Sequence, residues 1–216
     1  ISWNPTASTL SNIPTLSFSV LLFSTMIYSS IINHTEKELN FYIVDLGSEK
    51  LRKYYRAPQV GDVLGINDTQ KINYLFHMID AEISKRQKYY SKNGGDFAAD
   101  VRKGSSVFPN IIVIIHGIEV FRETFSVLYD ETLGSITRSC FKYGIDFVVT
   151  STTTSGLSYA LENNFPQTIM LNVNDPSEYE GYFSEKMVPS KNPGRGLLNI
   201  ESGCVEFQTA LSFEEE

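Results

Sequence analysis

The sequence is poor in the residues that cross-link small domains or bind metal ions. Its 216 residues include two cysteines, Cys140 and Cys204, and three histidines, His34, His77 and His116. Two cysteines in a domain of this size form neither a disulfide framework nor a zinc site. The histidines are far apart and lie on different predicted elements. We therefore predict reduced, structural cysteines, a reducing cytoplasm and no metal centre.

A basic surplus and a membrane-spanning run are also absent. The net charge is −7, whereas nucleic-acid-binding proteins present a clustered basic face. The basic stretches Lys50–Lys53 and Lys85–Lys92 are short, and we interpret them as solvated faces. The apolar run Phe18–Ile32 is shorter than the roughly 20 residues that cross a bilayer. We predict a buried helix there, no signal peptide, no membrane insertion and no nucleic-acid partner.

Motifs of hydrolytic catalysis are missing as well. The sequence contains neither Gly-x-Ser-x-Gly nor His-Glu-x-x-His. A Ser/His/Asp site built from His116, Asp45 and one of Ser151–Ser155 is conceivable, because all lie at the carboxyl ends of predicted strands. The alternative for Asp45 is a turn or helix cap. Without a nucleophile motif we predict no catalytic residue.

The most informative stretch is Asn110–Gly117, which contains five consecutive β-branched residues, Ile111–Ile115. Such a run is typical of a central parallel strand that is buried on both faces. His116 follows at the carboxyl end, where open α/β sheets bind ligands. P-loop nucleotide hydrolases place a magnesium-binding aspartate at this position, and neutral imidazole is a poor ligand for that ion. His116 therefore argues against ATP hydrolysis.

Strands and helices alternate along the chain, which predicts an α/β fold with a mostly parallel sheet. We expect one domain over residues 1–216. The predicted strands are Ala7–Asn12, Phe41–Leu46, Asn110–Gly117, Asp146–Thr150, Thr168–Val173 and an edge hairpin of Gly196–Ile200 with Cys204–Thr209. The predicted helices are Phe18–Ile32, Asp68–Ser91, Glu119–Tyr143, Gly156–Asn163 and Asp175–Ser184. Residues Leu51–Ile66 read as irregular, and Glu82 with Arg86 as a surface ion pair.

The segment Asn12–Val20 occupies the place of a phosphate-binding loop, between the first strand and the first helix. Such a loop needs glycines, whose backbone N–H groups surround phosphates, and a lysine. This segment reads Asn-Ile-Pro-Thr-Leu-Ser-Phe-Ser-Val and contains neither. Because charge-assisted hydrogen bonds contribute about 1.5–3 kcal/mol each, we expect no cofactor to bind the isolated domain.

Several segments together resemble FtsK/SpoIIIE-type ATPase modules, and most of all the last module of type VII secretion ATPases of the EssC kind. The resemblance covers roughly Phe18–Ser212. It is carried by FYIVDLG, EISKRQKYY, NIIVIIHGIEVFRE, GIDFVVTSTTTSGL, IMLNVNDPSEYEGYF and NPGRGLLNIESGCVEFQTAL. It implies a RecA-like P-loop NTPase fold at the cytoplasmic end of a membrane-anchored protein, one that exports small WXG100-type proteins and can be oligomeric at full length.

By position, the resemblance implies a vestigial nucleotide pocket. Pro14 and one of Ser17 or Ser19 match the family's phosphate loop, and His116 matches its metal-binding aspartate.

Two hypotheses follow. The first is a catalytically silent module that engages export substrates or adjoining ATPase modules, with Tyr179, Tyr182 and Phe183 as candidate contacts. Arg195 either offers its charge to a neighbouring module's nucleotide or is a turn residue of the hairpin. The alternative is a module that binds Mg-ATP weakly, or hydrolyses it slowly, within the assembled protein. DNA translocation is disfavoured by the acidic charge balance.

Overall fold

The computed structural model describes residues 9–12, 16–153, 155–173, 175–183, 187–200 and 203–210, with the backbone alone for residues 9–12 and 16–18. The strands are β1 (Thr9–Asn12), β2 (Leu39–Asp45), β3 (Val60–Leu64), β4 (Asn110–His116), β5 (Ile145–Ser151), β6 (Gln167–Leu171), β7 (Arg195–Ile200) and β8 (Gly203–Gln208). The α-helices are α1 (Leu16–Asn33), α2 (Thr69–Asn93), α3 (Phe97–Arg102), α4 (Ile118–Thr124), α5 (Gly134–Thr137) and α6 (Tyr159–Glu162).

The strands form one sheet in the order β3-β2-β4-β5-β1-β6-β7-β8. Strands β1 to β6 pair parallel with one another, whereas β7 pairs antiparallel with both β6 and β8. Strands β7 and β8 form the predicted edge hairpin. The predicted α/β architecture is confirmed. None of the helices in the described part of the chain has the length and apolarity that a membrane span requires.

The central strand β4 divides the core into two layers, and all seven of its residues are buried. On one face Val113 and Ile115 pack in a cluster with Phe76 of α2. On the other face Ile112 and Ile114 share a cluster with residues of α1, including Phe23. The β-branched run is therefore covered by helices on both sides, as its composition indicates.

The prediction that Leu51–Ile66 is irregular is wrong. It contains β3 and a 3₁₀ helix, Lys50–Arg56, whose Leu51 and Tyr54 are buried. Strand β3 was not predicted because it contains Gly61, and glycine is disfavoured in strands. A Cβ at Gly61 would lie 2.4 Å from Cε1 of Tyr42 on β2, so the ring occupies the space that a side chain would need.

The prediction of one helix over Glu119–Tyr143 is also wrong. Helix α4 ends at Thr124, and a π-helical turn over Leu128–Leu133 leads into α5. The buried Leu128 and Leu133 are five residues apart, and a π turn places residues at this spacing on one face. A 3₁₀ helix, Cys140–Tyr143, completes the segment and ends at Gly144, which has the left-handed conformation.

The other predicted helices are confirmed with changed bounds. Of Gly156–Asn163 only α6 is helical, and Ser158 caps it by accepting a hydrogen bond from the Leu161 N–H. The predicted helix at Asp175 is the 3₁₀ helix Pro176–Gly181.

Candidate functional site

Three polar side chains lie side by side where the central strands end. Residue register aligns Asp45 of β2 with His116 of β4, and His116 with Thr150 of β5. Parallel strands in register point such residues to the same face, which here is the face covered by α1. All three are at most 3% exposed.

His116 is held by one hydrogen bond and covered by an aromatic ring. Its Nδ1 lies 2.8 Å from Oγ1 of Thr150, and that oxygen also accepts a hydrogen bond from the Gly117 N–H at 3.0 Å. The imidazole packs edge-on against Phe23 of α1, with ring centroids 5.6 Å apart. The buried Nε2 has no hydrogen-bond partner among the described residues.

The environment keeps His116 neutral. Burial lowers the pKa of His116, and the opposing effects of the Asp45 and Glu119 carboxylates do not overcome it. A neutral nitrogen beneath a phenyl ring does not fit a magnesium ion, which prefers oxygen ligands and retains water. No group of three His, Cys, Asp or Glu side chains suited to a metal ion occurs within the described ranges.

The conceivable Ser/His/Asp site is not assembled. Asp45 caps its own loop: Oδ1 accepts a hydrogen bond from the Ser48 N–H at 3.0 Å, and Oδ2 accepts one from the Leu51 N–H at 3.1 Å. Ser151 donates its hydroxyl proton to Glu119 or to the backbone of Thr153 rather than to His116. Asp45 is thus a turn cap, the alternative that its position in sequence allowed.

Glu119, which the sequence did not indicate, organises the loop after β5. Its Oε1 accepts hydrogen bonds from Oγ of Ser151 (2.7 Å), from N of Thr152 (2.7 Å) and from Oγ1 of Thr152 (3.0 Å). Burial acts to raise the pKa of Glu119, but these hydrogen bonds outweigh it and the pKa is lowered. The carboxylate is therefore ionised and clasps the loop to the first turn of α4.

Gly156 completes this clasp because it has no side chain. A Cβ at Gly156 would lie 1.8 Å from Oγ of Ser151 and 2.8 Å from Oε1 of Glu119. Arg122 donates a hydrogen bond to the Gly156 carbonyl at 3.4 Å, one helical turn beyond Glu119. The loop beside His116 is thus fixed by side chains of α4.

The proposed vestigial phosphate loop is described in part. Strand β1 ends at Asn12 and pairs it with Ser151, and α1 starts at Leu16. Strand β1 therefore ends at the carboxyl edge of the sheet. Pro14 and the side chain of Ser17 lie outside the described residues, and Ser19 is buried in α1.

The four candidate partner contacts differ in accessibility. Tyr179 and Phe183 form a small core with Met170 and Leu197. The Tyr179 hydroxyl donates to the Leu171 carbonyl at 3.0 Å, which fixes the ring inward.

Tyr182 is half-buried, and Arg195 is 33% exposed, with Nε 3.7 Å from Oε1 of Glu206 on the hairpin partner strand. A role of these residues in partner binding stays a prediction.

A groove of about 710 Å³ opens at the opposite, amino edge of the sheet. Its apolar lining comes from Leu39, Phe97, Val101 and Phe108, and polar residues of the last turn of α1 and of the turn after it form its rim. The side chain of Val101 is half exposed. The volume lies within the range of about 300–1,000 Å³ that ligand sites occupy.

Asp146 is a buried carboxyl near this edge, and it lines a smaller cavity of about 290 Å³. It is 1% exposed, and its Oδ1 has no hydrogen-bond partner among the described residues. Burial raises the pKa of Asp146 to about 7, against the lowering effect of a hydrogen bond from Asn110.

Parallel strands covered by helices on both faces are the architecture of P-loop ATPase domains, and solved structures of such domains share this fold. ATPases 2 and 3 of Thermomonospora curvata EccC, in complex with a signal sequence peptide, give a TM-score of 0.82 at 23% identity, covering 94% of this chain and 38% of that one. The cytoplasmic domain of the T. curvata type VII secretion ATPase EccC gives 0.84 at 22% identity, covering 97% and 25%.

The chain is similar in sequence to type VII secretion proteins. The ESX secretion system protein EccC of T. curvata is 26% identical over 200 residues, which is 88% of this chain and 15% of EccC. The type VII secretion system protein EssC of Staphylococcus aureus (strain MRSA252) is 23% identical over 193 residues, 88% of this chain and 13% of EssC. No family model matches. The predicted resemblance is confirmed, and the chain spans a small part of the length of these relatives.

Proposed function

We propose that the chain is a catalytically silent ATPase-like module of a type VII secretion protein. The observation that carries the proposal is His116. Hydrolysis requires an oxygen ligand for magnesium at this strand end, and His116 supplies a neutral imidazole that is buried under Phe23. The adjacent carboxylate of Asp45 is engaged by its own loop.

The module engages exported proteins and adjoining ATPase modules on the cytoplasmic side of a membrane-anchored protein. Its similarity to a cytoplasmic domain of EccC, and to EccC bound to a signal sequence peptide, supports this role. The substrates are small helical proteins of the WXG100 type, as the family resemblance implies.

The amino-edge groove is the place where a substrate segment binds. Its apolar lining, Leu39, Phe97, Val101 and Phe108, receives apolar side chains of the segment, while the polar rim contacts its backbone. Burial of apolar area then supplies the main stabilisation, at roughly 25 cal/mol per Å². The groove is separate from the carboxyl edge, so binding there needs no nucleotide.

Calorimetric titration with Mg-ATP, and then with a nonhydrolysable analogue, tests the silent state. We expect no heat of binding at the carboxyl edge up to millimolar nucleotide. Binding of nucleotide at this edge with a micromolar Kd would overturn the proposal.

Fluorescence anisotropy with a labelled WXG100-type protein from the same organism tests substrate binding. Val101→Asp places a charge in the groove and should weaken binding at least tenfold, which is about 1.4 kcal/mol. Val127→Asp is the control, since Val127 is similarly exposed (64%) and does not line the groove. Equal affinity of the two variants for the labelled protein would exclude this groove as its binding site.

A second candidate function is weak nucleotide binding with help from a neighbouring module. The connection from β1 to α1 favours it, because it keeps the place of a phosphate loop beside Ser151. The same titration on a longer chain that includes the adjoining module distinguishes the two. Binding only in the longer chain would support this second function.

A further inference from the structure

A basic groove lies beside β3, at the open edge of the sheet. It encloses about 430 Å³ and is lined by four basic side chains and two acidic ones: Arg52, Lys53, Arg56, Lys71, Asp62 and Asp68. In sequence, Lys50–Lys53 reads as an ordinary solvated face. The fold brings Arg56 and, from α2, Lys71 to the same place, in a chain whose net charge is −7.

The 3₁₀ helix that carries three of these cations is fixed to the core. Leu51 is fully buried, and Tyr54 is 8% exposed and donates its hydroxyl proton to the Ser24 carbonyl of α1 at 3.2 Å. The Asp45 carboxylate accepts from the Leu51 N–H at 3.1 Å. The basic side chains therefore extend from a rigid segment, which lowers the entropy cost of binding.

The carboxylates of the groove have partners within the described part of the chain, and the guanidinium groups have none there. Asp62 accepts from the Val63 N–H at 2.9 Å and pairs with Lys71 at 3.5 Å. Among the residues that the structure describes, the side chains of Arg52 and Arg56 make no hydrogen bond and no ion pair. Two exposed guanidinium groups thus face the groove unpaired.

The amino end of α2 adds a further positive element. Asp68 occupies the capping position of this 25-residue helix, but its side chain makes no capping hydrogen bond. Its Oδ2 accepts instead from the Gly65 N–H at 2.9 Å. The first-turn amides of α2 are therefore left uncapped by Asp68, and they carry the positive end of the helix dipole.

We propose that this groove binds a phosphate group, carried by a soluble molecule or by a lipid headgroup. Arginine pairs match phosphate through two parallel N–H···O bonds, and helix amino ends complete such sites. A phosphate monoester carries nearly two charges and three acceptor oxygens, so it can use both guanidinium groups and the helix end together. A single carboxylate has too few oxygens to do so.

Calorimetric titration of the whole chain with pyrophosphate tests the proposal. The variant Arg52→Gln/Arg56→Gln removes two charges whose side chains make no hydrogen bond and no ion pair with the described residues. The control, Lys88→Gln/Lys92→Gln, removes two exposed charges near the other end of α2. We expect the arginine variant to bind at least tenfold more weakly than the control, and circular dichroism to show both folded. Equal affinities would overturn the proposal.

Two further experiments identify the molecule that carries the phosphate and test whether the groove prefers phosphate to carboxylate. Co-sedimentation with phosphatidic acid vesicles, and not with phosphatidylcholine vesicles, that is lost in Arg52→Gln/Arg56→Gln assigns the groove to a lipid headgroup. Binding of pyrophosphate without such co-sedimentation assigns it to a soluble phosphate. A hexaglutamate peptide that binds more tightly than pyrophosphate would refute the phosphate assignment. If titration with Mg-ATP gives a heat of binding that disappears in Arg52→Gln/Arg56→Gln, then the nucleotide binds in this groove and not at the carboxyl edge.

Discussion

Replacing Asp146 by asparagine is expected to change how stability depends on pH. Burial raises the pKa of Asp146 from 3.8 to about 7. Between these values the folded protein holds a proton that the unfolded chain has released. The stabilisation from the protonated carboxyl is therefore complete below the unfolded pKa, and it is lost as pH rises through the folded pKa.

The size of the effect follows from the pKa difference. One pKa unit corresponds to about 1.36 kcal/mol, so a rise from 3.8 to about 7 means that the ionised side chain costs the folded state on the order of 4 kcal/mol. Between about pH 5 and pH 7 the contribution of Asp146 falls by about 1.4 kcal/mol per pH unit. His116 acts in the opposite direction, because its pKa is lowered from 6.5 and its contribution grows as pH rises to that value.

Urea unfolding followed by circular dichroism, on the wild type and on Asp146→Asn, isolates this contribution because His116 is common to both. The free energy of unfolding of the wild type minus that of the variant should decline from about pH 5 to about pH 7 and level off above that. Asn110→Ala removes a hydrogen bond that lowers the pKa of Asp146. In a protein with this substitution, the contribution of Asp146 to the free energy of unfolding should therefore decline up to a higher pH. A wild-type minus variant difference that stays constant with pH would refute the assignment of a raised pKa to Asp146.

Four further substitutions test packing and buried polar contacts by chemical denaturation. Gly156→Ala should destabilise the fold by about 1–3 kcal/mol through overpacking against Ser151, whereas Gly134→Ala, with open space around a helical glycine, should stabilise it by about 0.5–1 kcal/mol; equal effects would contradict the steric argument. Arg86→Met removes a fully buried guanidinium and should cost about 3–5 kcal/mol, and a loss below about 1 kcal/mol would place Arg86 at the surface. Thr150→Val should cost about 1–3 kcal/mol by leaving the Gly117 N–H without its acceptor, and an unchanged midpoint would show that water replaces the hydroxyl.

The order of strands and helices could be predicted from local patterns. The β-branched run of β4 and the three- and four-residue apolar spacing of α2 each need only their own residues to be recognised. Arg86 shows the limit. Its pair with Glu82 was predicted, and the Nε–Oε1 distance is 3.0 Å, but the expected surface position is wrong. The guanidinium is fully buried because it donates to the carbonyls of Tyr143 and Gly144, which are more than 50 residues away in sequence.

The candidate site was predicted only in part, because some of its contacts join residues that are far apart in sequence. His116 and Asp45 follow strands, so their places at the carboxyl edge could be inferred from sequence order. The clasp of Glu119 on Ser151 and Thr152 joins residues 32 and 33 positions apart, and no local motif marks it. The only sequence signal was a carboxylate in the first turn after the central strand.

The position of β1 has a consequence for how the chain is made. This four-residue strand pairs Thr9 with Val148 of β5 on one side and with Gln167 of β6 on the other. In the strand order, β1 is the only link between the β3-β2-β4-β5 half and the β6-β7-β8 half of the described sheet. Because β1 precedes both β5 and β6 in the chain, it can pair with both of its neighbours only after β6 has been synthesised. Until then the growing sheet ends at an open edge strand, the kind of surface that chaperones protect.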